Sequence, residues 1–187
     1  MKLGITAFRA TVGAVFFAHG AQKLFGWFGG PGLEGTSKGF DAMGLKPGRR
    51  NALIAGASEA GGGALLATGF LTPLASAATI GVMSQAIRSV HWKKGFFSTQ
   101  GGYEFNLTLI AAAFAIADTG PGPLSLDRAL GTEKSGPLWA LAALAAGLAG
   151  PRLVERLAPA PAEPVTAPAA PPAGLGEAAA EPVGVVH

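Results

Sequence analysis

The sequence predicts an all-α protein: a transmembrane four-helix bundle, with room for a fifth short apolar helix, and a disordered C-terminal tail. Three observations carry this prediction. Of 187 residues, 49% are hydrophobic and 13% charged, against about 25% charged in ordinary soluble domains. Apolar stretches recur at about 3–28, 51–71, 73–90 and 104–119, each near the roughly 20 residues that cross a bilayer core as helix. From residue 157 onward the chain is a Pro/Ala tract, "APAPAEPVTAPAAPPAGLGEAAAEPVGVVH" following Leu157, which buries too little apolar surface to offset its ordering entropy. The expected division is therefore 1–130 for the four-helix domain, 131–156 for an additional apolar helix, and 157–187 for the tail.

The first stretch ends in "FFAHGAQKLFGWFGG", residues 16–30, where His19, Gln22 and Lys23 interrupt the apolar run. Lys2 and Arg9 before Ala10–Ala18, with Ala18-His19-Gly20 behind it, also fit a cleavable signal peptide. Apolar character resumes at Leu24, Phe25, Trp27 and Phe28, which favours a retained helix ending in an aromatic interfacial belt. At 100° per residue, Arg9, Phe16, Gly20 and Lys23 fall within about 60° of one another, with Gly13 and His19 on the flanks. One face of this helix is thus both polar and small.

The second stretch contains "GASEAGGG", in which Gly56, Glu59 and Gly63 share a face and the glycines allow another backbone to approach. In the third, Gly81, Gln85 and Arg88 are spaced i, i+4 and i+7; in the fourth, Glu104, Thr108, Ala111, Ala115 and Asp118 follow one helical stripe. An ionised group inside a bilayer costs at least about 2.5–3.5 kcal/mol on insertion scales. The economical arrangement sets basic groups of the first and third helices against acids of the second and fourth. The candidate polar core is Arg9, His19, Lys23, Glu59, Gln85, Arg88 and Glu104, with Gly13, Gly20, Gly56 and Gly63 as close-packing positions, and Glu59 is expected beside His19, Lys23 or Arg9. The plainer alternative is that Arg9, Lys23, Arg88 and Glu104 lie near helix ends and reach the headgroups. His19 alone is compatible with a proton carrier, a ligand or an interhelical hydrogen bond.

A fifth stretch, "PLWALAALAAGLAG" from Pro137 to Gly150, is stopped by Pro151 before Arg152, Glu155 and Arg156. It reads either as a thin span or as a helix lying on the surface. Between it and the fourth stretch, "GPGPLSLDRAL" suits a turn in which Ser125 caps a short helix with Asp127 and Arg128 in its first turn. Trp27, Phe28, Trp92, Phe96 and Phe97 read as interface anchors. Lys38, Lys46, Arg49 and Arg50 in the first loop, with Lys93 and Lys94 in the third, place those loops in the cytoplasm, while Lys2 and Arg9 pull weakly the other way.

Several function classes are excluded. The chain has no cysteine, so it performs no thiol, disulfide or iron–sulfur chemistry of its own. The net charge of +3 and pI near 9.5 come without a basic cluster interleaved with aromatics, so no nucleic-acid partner is expected. His19, His91 and His187 form no paired-ligand spacing, so no metal site is expected. Neither a GxSxG nucleophile motif nor a nucleotide-binding glycine fingerprint is present.

Four pieces in order, "RATVGAVFFAHGAQKLFGWFGG", "GASEAGGGALLATGFLTPLAS", "KKGFFSTQGGYEFNL" and "GPGPLSLDRAL", resemble the DoxX family of small bacterial integral membrane proteins, over about residues 5–130. The resemblance implies a four-helix membrane protein of the inner (plasma) membrane, multi-pass. It also implies association with oxidoreductase assemblies in some members, including thiosulfate:quinone oxidoreduction, and with detoxifying enzymes in others. Its characteristic positions fall on Arg9, Gly13, His19, Gly20, Lys23, Glu59, Gly63, Glu104, Gly120, Gly122, Ser125, Leu126 and Asp127. The functional expectation is an accessory subunit of a redox or stress-response system, not an enzyme by itself, with a quinone or lipid tail held in the polar core. A binding or transport protein for a small hydrophobic or protonatable molecule is the alternative, with the glycine-rich first loop, Phe40 and Met43 included, as a lid. A scaffold that recruits soluble partners is the third.

Overall fold

The computed structural model describes residues 3–157, and over them the chain is helical, with no strand among the described residues. The α-helices are α1 (Leu3–Phe25), α2 (Gly32–Ala42), α3 (Gly48–Thr68), α4 (Thr72–Ala86), α5 (Glu104–Thr119), α6 (Leu126–Ala129) and α7 (Pro137–Leu157). The all-α class is as expected. Apart from Leu157, which ends α7, the tail lies outside the described residues.

Helices α1 and α3 form the most extensive contact and run antiparallel. Gly13 faces Gly63 and Ala67 of α3, and Gly20 faces Gly56 and Ala60. A Cβ at Gly13 or Gly20 would overlap the opposing backbone, and the same holds in reverse for Gly63 against Phe17. Three of the four expected close-packing glycines therefore bring the two backbones together; Gly56 instead accepts the side chain of Leu24. The helix continues unbroken through Ala18-His19-Gly20, so the candidate cleavage site is part of the packed structure.

This register leaves the first two turns of α3 beyond the end of α1, where α2 covers them. Gly48 donates its N–H to Asp41 Oδ1 at 2.7 Å, and Thr36 donates to the Lys23 carbonyl at 3.2 Å. The glycine-rich segment expected to be a lid is thus mostly helix, anchored by buried Thr36 and Ser37. Its hydroxyls bond back to Gly32 and Leu33 one turn earlier, which keeps them satisfied within the helix.

A tight turn joins α3 to antiparallel α4. Gly69 adopts the left-handed conformation that closes α3 (φ 65°), and Leu71 follows in the same region at φ 48°, which costs a residue with a Cβ about 1–2 kcal/mol. Helix α4 leads into a π turn, Ile87–His91, and a 3₁₀ turn, Trp92–Lys94. Helix α5 returns beside it, and buried Leu109, Ala112, Ala113, Ile116 and Ala117 form its inner face.

The largest departure from expectation is α7, a 21-residue helix that runs through Pro151 instead of stopping before it. It packs along α4 in parallel, with Gly147 against Ile80 and Ala77, and with the Gly147 carbonyl and Pro151 ring facing Gly81. Proline at position 151 cannot donate to the carbonyl four residues earlier, and that carbonyl belongs to Gly147, at the small-residue contact. Lateral packing thus sustains the helix where local propensity would end it.

Two helices are long and apolar enough to cross a membrane, Leu3–Phe25 and Pro137–Arg156. Helices α4 and α5, of 15 and 16 residues, are shorter than the roughly 20 residues of a full span, and α3 opens on the polar "GRRN". The fifth stretch, expected to be the marginal one, is therefore among the two clearest.

Candidate functional site

The interior carries two polar centres, one near each end of the bundle. Lys23 Nζ donates to Glu59 Oε2 at 2.5 Å, with the side chains 25% and 5% exposed respectively. Of the three partners expected for Glu59, Lys23 is the one that reaches it. The glycine contact sets this register: Gly20 sits against Ala60 and Gly56, Lys23 Cβ lies beside Gly56, and the lysine side chain reaches back one turn of α3 to Glu59. Glu59 is central in α3, and Lys23 reaches it from the last turn of α1. The lysine thus anchors the pair from the end of α1 opposite Arg9.

At the opposite end, Arg9 is 1% exposed and bonded only to carbonyls. Its Nε donates to Pro121 O at 2.7 Å, Nη1 to Leu66 O at 2.5 Å and Ala67 O at 2.6 Å, and Nη2 to Leu124 O at 2.8 Å. A guanidinium carries enough donors in a fixed fork for this task. Leu66 and Ala67 are in the last turn of α3, so the cation also sits at the negative end of that helix dipole. Arg9 was expected to face an acid; the C-terminal carbonyls of a neighbouring helix take that place.

Asp127 is the complementary piece. Its carboxylate accepts from Leu71 N at 2.9 Å, Thr72 N at 2.9 Å, Thr72 Oγ1 at 2.7 Å and Thr132 Oγ1 at 3.2 Å. It therefore caps the N-terminus of α4, whose own N-cap residue, Leu71, has no capping side chain. These bonds also hold Leu71 in its left-handed conformation. Ser125 caps α6 by accepting from Arg128 N at 3.3 Å, as the "GPGPLSLDRAL" turn suggested. Arg9 and Asp127 thus clamp the two helix ends that meet at the α3–α4 turn. Burial by itself would raise the Asp127 carboxyl, but the bonds from Thr72, Leu71 and Thr132 together outweigh it and hold the group below the ordinary aspartate value.

The sign of that shift gives a pH prediction. A depressed carboxyl contributes stability that is present above the unfolded value of about 3.9 and is lost as pH falls through the folded value. In detergent, wild type is expected to exceed Asp127→Asn by roughly 1–2 kcal/mol at neutral pH, and the gap is expected to close below about pH 4. Thermal melts of both proteins across pH check this; a gap independent of pH would contradict the ionised cap.

The remaining candidates do not join a common core. His19 is exposed, with its ring 6.1 Å from that of Phe105. Its position on the flank of the stripe turns it outwards. Arg88 and Gln85 find their partner on α7: Arg88 Nη2 and Gln85 Nε2 both donate to Glu155 Oε1 at 2.8 Å, at the bundle end. Glu104 is half-buried at the start of α5 and forms no ion pair among the described residues. Thr108, Ala111 and Ala115 of its stripe are exposed, so that stripe faces outwards. Small and apolar residues, with Asn106 bonded to Met83 Sδ at 3.4 Å, form the inner face of α5 instead.

The capping role of Asp127 was not read from the sequence. Its signal there is indirect: "FLTP" starts a helix with no Ser, Asp or Asn at its N-cap, so the cap has to come from elsewhere.

The helical fold and the internally neutralised charges define a small α-helical bundle, with two helices long and apolar enough to cross a membrane. The DoxX family model matches residues 4–92, which supports the DoxX resemblance. The matched segment covers α1 to the π turn after α4 and includes Arg9, Lys23 and Glu59; α5–α7 lie beyond it. No curated protein and no solved structure matches the chain.

Proposed function

We propose that this DoxX-like protein is a multi-pass, plasma-membrane accessory subunit that holds a partner enzyme of a redox or stress-response system at the membrane. The observation that carries the reading is that the ionised interior groups already have protein partners: Arg9 has four carbonyls, Glu59 has Lys23, and Asp127 has two amides and two hydroxyls. Groups engaged in this way brace a bundle. The buried side-chain atoms left without a partner among the described residues, Thr6 Oγ1, Arg50 Nε and Ser76 Oγ, belong to none of these three centres, so any quinone or lipid is assigned to the clefts between helices.

Membrane placement follows from charge. Lys38, Lys46, Arg49, Arg50, Arg88, Lys93, Lys94, Arg152 and Arg156 gather at the end that holds α2 and the 87–103 segment, whereas Arg128 and Lys134 are at the other. The basic end faces the cytoplasm by the positive-inside rule. Exposed Trp27, Phe28, Trp92, Phe96 and Phe97 ring that end as an interfacial belt. Because α7 runs parallel to α4, residue 157 ends on the cytoplasmic side too.

A cysteine-free chain allows one experiment to test both parts. Lys93→Cys is expected to be protected from an impermeant maleimide in intact cells, and Gly131→Cys to be labelled. A photocrosslinker on Cys at position 93 is expected to capture a protein that carries flavin, haem or thiol redox chemistry. Labelling of both sites from outside would refute the orientation. Crosslinks to lipid alone would refute the accessory role.

A further inference from the structure

We infer that the cleft between the end of α4, α5 and α7 binds the headgroup of an anionic phospholipid from the cytoplasmic leaflet. The cleft has a volume of about 460 Å³, and Arg88, Arg152, Trp92, Ile87, Ile110 and Leu148 line it. Its polarity is graded along the bundle axis. Arg88 and Arg152 stand at the mouth, level with the exposed Trp92 and the lysines that follow it. Leu148 lies one helical turn deeper than Arg152, about 6 Å, and Ile110 lies about 9 Å inside the start of α5. A cationic mouth over an apolar floor fits a phosphate diester with the upper part of its acyl chains.

The two arginines are prepared differently. Arg88 is held by Gln85 Oε1 at 2.7 Å and Glu155 Oε1 at 2.8 Å, and Glu155, which is outside the lining, offsets one of the two positive charges. Arg152 has no hydrogen bond or ion pair among the described residues, which leaves its planar fork available to phosphate oxygens. The π turn at Ile87–His91 forms one wall; such turns interrupt α-helices frequently at functional sites. Trp92 is fixed at the rim by stacking on Tyr103, with ring centroids 5.5 Å apart and planes at 18°.

The inference rests on the membrane placement proposed above, and Trp92 separates the two in one assay. The full chain with Trp27→Phe and Trp139→Phe keeps Trp92 as its remaining tryptophan. It is reconstituted in phosphatidylcholine bilayers that contain brominated phosphatidylglycerol or brominated phosphatidylcholine. Trp92 quenching is expected to half-saturate at an about tenfold lower fraction of the anionic lipid, and Arg152→Gln is expected to remove about fivefold of that preference. Arg152→Gln breaks no contact among the described residues, so it keeps the test valid if Arg88→Gln fails to fold. Equal quenching by both lipids overturns the site alone. Competition by millimolar inorganic phosphate also overturns it, since the ligand is then a free anion. Quenching by neither lipid overturns the membrane placement together with the site.

Discussion

Replacing Arg9 by Met is expected to be the most damaging single substitution in this chain, with a loss of at least about 4 kcal/mol and a collapse in the yield of monodisperse protein. Met matches much of the length of the side chain but donates nothing, so the carbonyls of Leu66, Ala67, Pro121 and Leu124 lose their donor together. Each acceptor left unsatisfied in a buried site costs about 1–3 kcal/mol, and the four costs do not add fully because they share one group. Asp127 would also lose the cation that faces it. Arg9→Lys is expected to fall between wild type and Met, since one ammonium cannot span the positions that the guanidinium fork reaches. Size-exclusion profiles and thermal melts in mild detergent read the series. A Met variant that melts within about 2 °C of wild type would show that the carbonyls find other donors.

The difference between the expected and observed polar core has a definite physical origin. Helical phase assigned Arg9, Lys23 and Glu59 to inward faces, and all three point inwards. Phase says nothing, however, about what stands opposite. A salt bridge between helices and a cap on a neighbouring helix look alike from one helix, so Arg9 was matched to an acid when its partners are carbonyls. For α5 the error lay in taking polarity as the mark of the inside. The polar stripe from Glu104 to Ala115 faces outwards, because Ala112, Ala113 and Ala117 let α4 and α7 come close on the opposite face. In a membrane-type bundle, small residues are as informative about the interior as polar ones. Pro151 misled for a related reason: a proline weakens a helix locally, but the contact of Gly147 with Ile80 acts laterally.

Glycine substitutions across α1 and α3 are expected to divide sharply. Of the "GGG" at residues 61–63, helical phase singles out Gly63, which shares a face with Gly56 and Glu59, and the surroundings of the three differ. A Cβ at Gly61 meets nothing within 4 Å, at Gly62 it approaches Ala78 Cβ at 3.3 Å, and at Gly63 it overlaps the backbone of Phe17 and Gly13. Gly61→Ala is therefore expected to stabilise by roughly 0.5–1 kcal/mol through helix propensity alone. Gly63→Val and Gly20→Val are expected to separate α1 from α3, and the loss exceeds the 1–3 kcal/mol typical of overpacking because the obstructing atoms are main chain and cannot change rotamer. Such a separation also carries Lys23 away from Glu59, whose carboxylate is 5% exposed and is then left charged without a partner. Adding Glu59→Gln to Gly20→Val is therefore expected to recover part of the loss. Glu59→Gln added to Gly61→Ala, which leaves the helix contact intact, provides the reference. Melting temperatures of the single and double variants form the cycle; strict additivity would show that the glycine contact does not set the register of the ion pair.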